Sequence, residues 1–267
     1  MSPSLRESIR IGLCPERVVF ARYGRGLRPK LLAQGTLPLE AGIAEEPWRP
    51  ALAALPKLLQ AHAPRAANAV VVLSNHFVRH VLLKPNTGVS SRDEWLAYAS
   101  HHFEKTYGVR ARDWDIQISE AGPAHPRLAS AIDKTLIEAT AAAFKNSPVL
   151  LRSVQPYLMT AFNQALPAMR QSAFWFVVQE PGRLQLGMIR DGLWRSMRGR
   201  QTNAHWIREL PHMVERESAL LAPEEPCRDV FVSALDPVEP GKADGYQIAA
   251  SPSPLAGADR IYSMVCA

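Results

Sequence analysis

Residues 9–37 read IRIGLCPERVVFARYGRGLRPKLLAQGTL, and the parsing of that run decides the fold. β-Branched and apolar residues cluster in IRIGL, RVVFARY and KLLAQGTL. The breakers Pro15, Gly24 and Gly26 fall between the clusters, the pattern of three strands joined by short turns. Residues 173–199, AFWFVVQEPGRLQLGMIRDGLWRSMRG, repeat the design. Here the separators are Glu180-Pro181-Gly182 and then Asp191-Gly192, the second a strong two-residue hairpin signal. The first turn of each copy carries proline with glutamate: Cys14-Pro15-Glu16 in one, Glu180-Pro181-Gly182 in the other. Two matching meanders imply a chain built from two related halves.

Between the meanders the pattern is mixed. WRPALAALPKLLQAH is expected to be a helix kinked or split at Pro56, because proline deletes one intrahelical hydrogen bond. NAVVVLSN and FVRHVLLKP are two more strands, the first a continuous apolar run of the buried type. Ser91 and Glu94 have the spacing of a capping box. Trp95, Ala99, Phe103 and Thr106 follow at helical spacing, and Gly108 is placed to end that helix. Ile132, Leu136, Thr140 and Phe144 recur every fourth residue, giving an amphipathic helix that covers a sheet. VLLRSVQP then reads as a strand and YLMTAFNQAL as a helix. In the last part of the chain RDVFVSAL is a buried strand, DPVEPGKADGY and SPSPLAGAD read as loops, and RIYSMV as a short final strand. Strands alternating with helices in two rounds make an α/β protein.

Composition narrows the class. At 267 residues, 47% hydrophobic and 21% charged, the chain is an ordinary globular protein long enough for two cores. A net charge of +6 favours carboxylate, phosphate, nucleic acid or anionic membrane partners without choosing among them. Cys14, Cys227 and Cys266 are far apart and form no C-x-x-C pair, so neither a disulfide framework nor a zinc site is expected and a reducing cytoplasm is the default. No window approaches the roughly 18 apolar residues of a membrane span, and MSPSLRESIR lacks the apolar stretch of a signal peptide.

Two halves that each open with a meander and continue into helix-flanked strands resemble the actin-like, ribonuclease H-like ATPase fold. In particular the chain resembles the cytoplasmic actin-like proteins of type IV pilus and type II secretion inner-membrane platforms. VVVLSNHFVRHVLLKP, the capped helix and DWDIQIS look like the subdomain those proteins insert in the first lobe. RLASAIDKTLIEATAAAFKNSPVLLRSVQP is similar to the stretch that leads toward the second. The resemblance implies a first lobe over residues 1–165, with the insertion at about 70–120, and a shortened second lobe over 166–267.

In active members each meander's first turn is glycine-rich and carries an aspartate, because backbone N–H groups must reach phosphate oxygens and a carboxylate must hold Mg²⁺. Pro15 removes a donor, and Cys14, Pro15 and Glu16 include no glycine. In the second turn Glu180 can stand in for the acid and Gly182 allows close approach, but Pro181 again deletes a donor. The glycine pair expected against adenosine is replaced by Asp236-Pro237-Val238. These departures imply a pseudo-ATPase that binds neither ATP nor magnesium. The implied role is that of a scaffold, cytoplasmic and peripheral to the inner membrane through partners. Those partners are the cytoplasmic tail of an inner-membrane component and an assembly ATPase, with Arg79, Arg110 and Arg112 available to acidic groups.

Other arrangements weigh less. His76 and His80 on a strand lie roughly 13 Å apart, too far to share a metal ion. His101, His102 and Glu104 collect no single helix face, since adjacent residues point about 100° apart. The remaining alternatives are a divergent ATPase or kinase using Glu180 as its metal-organising acid, and a single-strand nucleic-acid binder using Arg190, Arg195, Arg198 and Arg200 around Trp194.

Overall fold

The computed structural model describes residues 6–40, 46–63, 66–122, 124–145, 147–221, 227–235, 238, 241–251 and 260–265. A meander of β1 (Ser8–Leu13), β2 (Arg17–Tyr23) and β3 (Leu31–Pro38) opens the chain, followed by α1 (Arg49–His62) and β4 (Asn68–Leu73). Next come β5 (Val78–Leu83), α2 (Arg92–Tyr107), β6 (Trp114–Ile118) and β7 (Arg127–Asp133). Helix α3 (Lys134–Lys145), β8 (Leu150–Pro156) and α4 (Tyr157–Ala165) lead to the second meander, β9 (Ala173–Glu180), β10 (Arg183–Arg190) and β11 (Leu193–Gln201). The chain closes through α5 (Trp206–Leu221), β12 (Asp229–Ala234), β13 (Gly241–Ala243), β14 (Tyr246–Ala250) and a 3-10 helix, Arg260–Val265.

These elements form two compact units. One comprises Met1–Val78, Ile132–Thr160 and Pro254–Ala267; the other comprises Arg79–Ala131 and Ala161–Ser253. The first holds the sheet β3-β2-β1-β4-β8, in which β1 lies antiparallel to β2 and parallel to β4, and β4 is parallel to β8. The second holds β11-β10-β9-β12-β14-β13, in which β9 lies antiparallel to β10 and parallel to β12, and β12 is parallel to β14. Strand for strand the two orders match, with β13 added at the edge of the second. The second unit also carries the small sheet β5-β7-β6 under α2.

Alternation along the central strands explains the layering. Ile9, Ile11 and Leu13 of β1 point to one face, where Ala51, Leu55 and Leu58 of α1 and Leu136 of α3 cover them. On the opposite face of β1 and β2 the 3-10 helix is seated. Met264 and Val265 are fully buried there, the Tyr23 hydroxyl donates to the Val265 carbonyl at 2.9 Å, and the Ser263 and Tyr157 hydroxyls pair at 2.8 Å. In the second unit α5 lays Trp206, Leu210 and Val214 on Trp175, Leu186 and Val232. The other face of that sheet is aromatic. Phe162 packs edge-on against Phe176 at 5.3 Å and lies 4.8 Å from Trp194. A Cβ at Gly187 would collide with the Trp194 ring, so β10 needs glycine at that position.

Several expectations are corrected. Helix α1 runs unbroken through Pro56. Pro56 is on the exposed face, where water can take the carbonyl it leaves unpaired, so the helix is not split there. RIYSMV is the 3-10 helix and not a strand. DPVEPGKADGY is not all loop: β13 and β14 form a hairpin closed by Asp244 and Gly245, both at positive φ (47° and 83°). Thr106 is exposed and bonds back to the His102 carbonyl, so the buried stripe of α2 ends at Phe103. Asp236, Pro237 and most of SPSPLAGAD lie outside the described residues.

The capping box at Ser91 is complete: the Ser91 hydroxyl accepts from the Glu94 N–H and the Glu94 carboxylate accepts from the Ser91 N–H. Ser91→Ala should therefore lower stability by about 1 kcal/mol in urea unfolding. Hydrogen bonds from the Ser91 and Ser90 N–H groups hold the Glu94 carboxyl down at about 2. A folded value below the unfolded one means that its contribution is complete above about 4.5 and fades as pH falls toward 2. The cost of Glu94→Ala should shrink over that window in urea melts.

Candidate functional site

The two turns singled out in the sequence occupy one topological position, the connection from the central strand to its antiparallel neighbour. In Cys14-Pro15-Glu16 the Cys14 N–H is spent on the Arg17 carbonyl at 3.0 Å, and the Glu16 carbonyl accepts from the Leu39 N–H at 2.8 Å. Cys14 is buried, with its thiol 3.4 Å from the Met264 sulfur. In the second copy Pro181 and Gly182 span the bend between paired Glu180 and Arg183, and Gly182 takes a φ of 76°. Proline followed by a left-handed glycine is the pattern of a type II turn. Glu180 is almost fully buried, and the Arg183 guanidinium nearby is itself depressed, first by burial.

The second unit contains a groove of about 1120 Å³. Trp175, Met188 and Met197 line it, with Val81 and Tyr98 from β5 and α2 opposite and Leu220 of α5 beside them. Its cations are Lys84, Arg190, Arg195 and Arg198. Arg195 owes its place to a bulge: Met188 pairs with Ser196 and Ile189 with Trp194, which leaves Arg195 as the extra residue outside the ladder. Among the described residues the carboxylate lining the groove is Glu217, almost fully buried and shared between Arg198 (3.2 Å) and Arg200 (2.7 Å). Burial pushes the Cys227 thiol, another lining group, upward.

No protein-family model matches the sequence, and no curated protein matches it either. Solved structures do. The cytoplasmic domain of EpsL, an inner membrane component of the type II secretion system of Vibrio cholerae, superposes with a TM-score of 0.63 at 13% identity, over 97% of this chain and 92% of that one. A Bacteroides thetaiotaomicron protein of unknown function with an actin-like ATPase fold gives a TM-score of 0.55 at 8% identity, covering 85% of this chain and 81% of its own. The chain has the actin-like ATPase fold. The PilM–PilN type IV pilus biogenesis complex is a further match, with a TM-score of 0.57, 12% identity and the same coverage of 85% and 81%.

Within this actin-like fold the other sequence candidates separate. His76 precedes β5. His80 lies within it, where burial drives its imidazole down to about 3 while Nδ1 meets the Ser130 hydroxyl at 2.9 Å. Among the described residues no group of three His, Cys, Asp or Glu side chains gathers as metal ligands. Arg112 is ion-paired with Glu104, and Arg110 is exposed on the 3-10 turn after α2. Arg79 lies 6.0 Å from the Tyr107 ring centre, its guanidinium lowered to about 10 by burial and then by Arg183. Of the arginines around Trp194, Arg198 and Arg200 converge on Glu217 and Arg190, Arg195 and Arg198 line the groove, while Trp194 itself packs on Phe162. Cys266 lies outside the described residues.

Sequence reading missed α5 and with it Glu217. Trp206, Leu210, Val214 and Glu217 have helical spacing, but Pro211 sits inside the run and the fourth position is a carboxylate. Removing that carboxylate strands two cations beside a buried surface. Glu217→Ala should cost about 3 kcal/mol in chemical unfolding, and Arg198→Ala distinctly less, since the Arg198 side chain is 58% exposed.

Proposed function

We propose that this protein is a non-catalytic scaffold of a bacterial pilus or secretion assembly platform at the inner membrane, where it holds the cytoplasmic tail of a membrane component. The likeness to the EpsL cytoplasmic domain, spanning nearly the whole of both chains, carries the reading. PilM in complex with PilN provides a second platform protein of the same fold.

The turn chemistry supports the absence of catalysis. Phosphate oxygens need several converging backbone donors. Pro15 and Pro181 have none, and the Cys14 N–H is already engaged within its turn. On this reading Cys14, Pro15, Glu16, Glu180, Pro181 and Gly182 mark former nucleotide loops that no longer take ATP or magnesium. The protein stays in the cytoplasm and reaches the membrane through its partners, with an assembly ATPase as a further contact. No described helix is long and apolar enough to cross a membrane.

Titration with Mg-ATP should leave the melting temperature flat. A nucleotide bound at a hundred times its Kd would contribute about 2.7 kcal/mol, an easily read upward shift. In parallel, cytoplasmic tails of inner-membrane proteins encoded beside the gene should be immobilised and tested for retention of the chain. Retention on one tail is the expected outcome. A rise with Mg-ATP, or failure of every tail, would overturn the proposal.

A further inference from the structure

We infer that the groove of the second unit is a docking site for an acidic, amphipathic segment of a partner protein. This goes beyond the scaffold reading and does not depend on it. Four properties of the groove select the occupant.

The first is charge. Among the described residues Lys84, Arg190, Arg195 and Arg198 line the groove against one carboxylate, and that carboxylate, Glu217, already serves Arg198 and Arg200. Lys84 and Arg195, both exposed, therefore give the described lining a positive charge that an acidic chain complements. His102, also in the lining, adds nothing at neutral pH, because burial lowers its imidazole. The second is the apolar content. Val81, Leu82 and Tyr98 are partly exposed in the lining, Leu220 is left 67% exposed beside them, and Met188 and Met197 are buried in the wall. Bulky apolar side chains alternating with carboxylates satisfy both features, and methionine adapts to varied shapes.

The third is size. At about 1120 Å³ the groove exceeds the roughly 300–1,000 Å³ of ordinary small-molecule pockets, which favours a stretch of polypeptide over a metabolite. The fourth separates protein from nucleic acid. Single strands bind basic grooves through aromatic rings on which bases stack. Here Trp175 is 1% exposed, Trp194 is packed on Phe162, and Tyr98 stands edge-on to Trp95 at 5.8 Å. Arginines beside rings that are buried or already packed on other rings suit carboxylates better than bases.

The test uses the full chain labelled with ¹³C-methyl methionine. Met188 and Met197 report on the groove, and Met159, Met169 and Met264, none of which lines it, serve as references. The probe is a short synthetic peptide alternating glutamate with leucine and phenylalanine. Its twin carries lysine for glutamate, and oligothymidylate provides the nucleic-acid arm. The acidic peptide should shift the Met188 and Met197 methyls saturably while the reference methyls hold still, with binding weakened by added salt. The twin should not bind.

Lys84 and Arg195 are both exposed, so a Lys84→Glu/Arg195→Glu variant should keep its fold, shown by unchanged reference signals. That variant should bind the acidic peptide about tenfold or more weakly. Leu220→Ser should weaken binding with little change in its salt dependence. Groove methyls unmoved by the acidic peptide, equal response to the lysine twin, or tighter binding of oligothymidylate would each overturn the inference. None of these readings depends on the nucleotide titration or on tail capture, so the two proposals can fail separately.

Discussion

The structure depends on one demand made twice: the first strand of each meander must bond on both edges, antiparallel to the next strand and parallel to one much later in the chain. A parallel neighbour cannot be reached by a hairpin and requires a long crossover, which brings a helix onto the face of the sheet. For β1 that crossover is α1, on its way to β4; for β9 it is α5, on its way to β12. Both central strands are flanked on their faces as well as their edges, which is why apolar residues dominate them, with Ser8 and Arg10 the exceptions in β1 and Gln179 and Glu180 in β9. The same arrangement puts Cys14 and Glu180 at the C-terminal ends of the central strands, the end at which open α/β sheets present their binding loops. The fold thus sets its two proline-bearing turns at that end of each sheet.

Charge is distributed with similar economy. The excess of arginine over acid in the second meander has two destinations. Arg198 and Arg200 meet on a carboxylate that α5 delivers from the covering layer, which ties helix to sheet where apolar packing runs out. Arg190 and Arg195 line a concavity, and the bulge that displaces Arg195 from the ladder keeps it from pairing across the strand. One stretch of sequence therefore ties helix to sheet at one end and lines a concavity at the other.

The repeat was legible because it rests on local signals. Breakers between apolar runs, Asp191-Gly192 at a bend and Ser91 with Glu94 at a helix start each act within a few residues, and each corresponds to an element. What escaped was set by distant partners. Helix α5 hides behind Pro211 and a buried glutamate whose counter-charges are 17 and 19 residues away. Asp244-Gly245 carries the same hairpin signal as Asp191-Gly192, but β13 is only three residues long and offers almost no alternation to read. The RIYSMV segment has a strand-like composition, yet it finds a sheet face rather than an edge. The groove was invisible because Val81, Tyr98, Trp175 and Leu220 are brought together only by folding.

The seat of the 3-10 helix bears on synthesis. Met264 and Val265 finish the surface of β1 and β2, strands made some 240 residues earlier, so this unit is sealed by a segment that leaves the ribosome long after the strands it covers. Until then the face holding Gly12, Val19 and Tyr23 lacks its lid, and the nascent chain presents an apolar strip to whatever chaperone or neighbour is at hand. Order of translation, as much as sequence, sets when this half of the molecule becomes safe from aggregation.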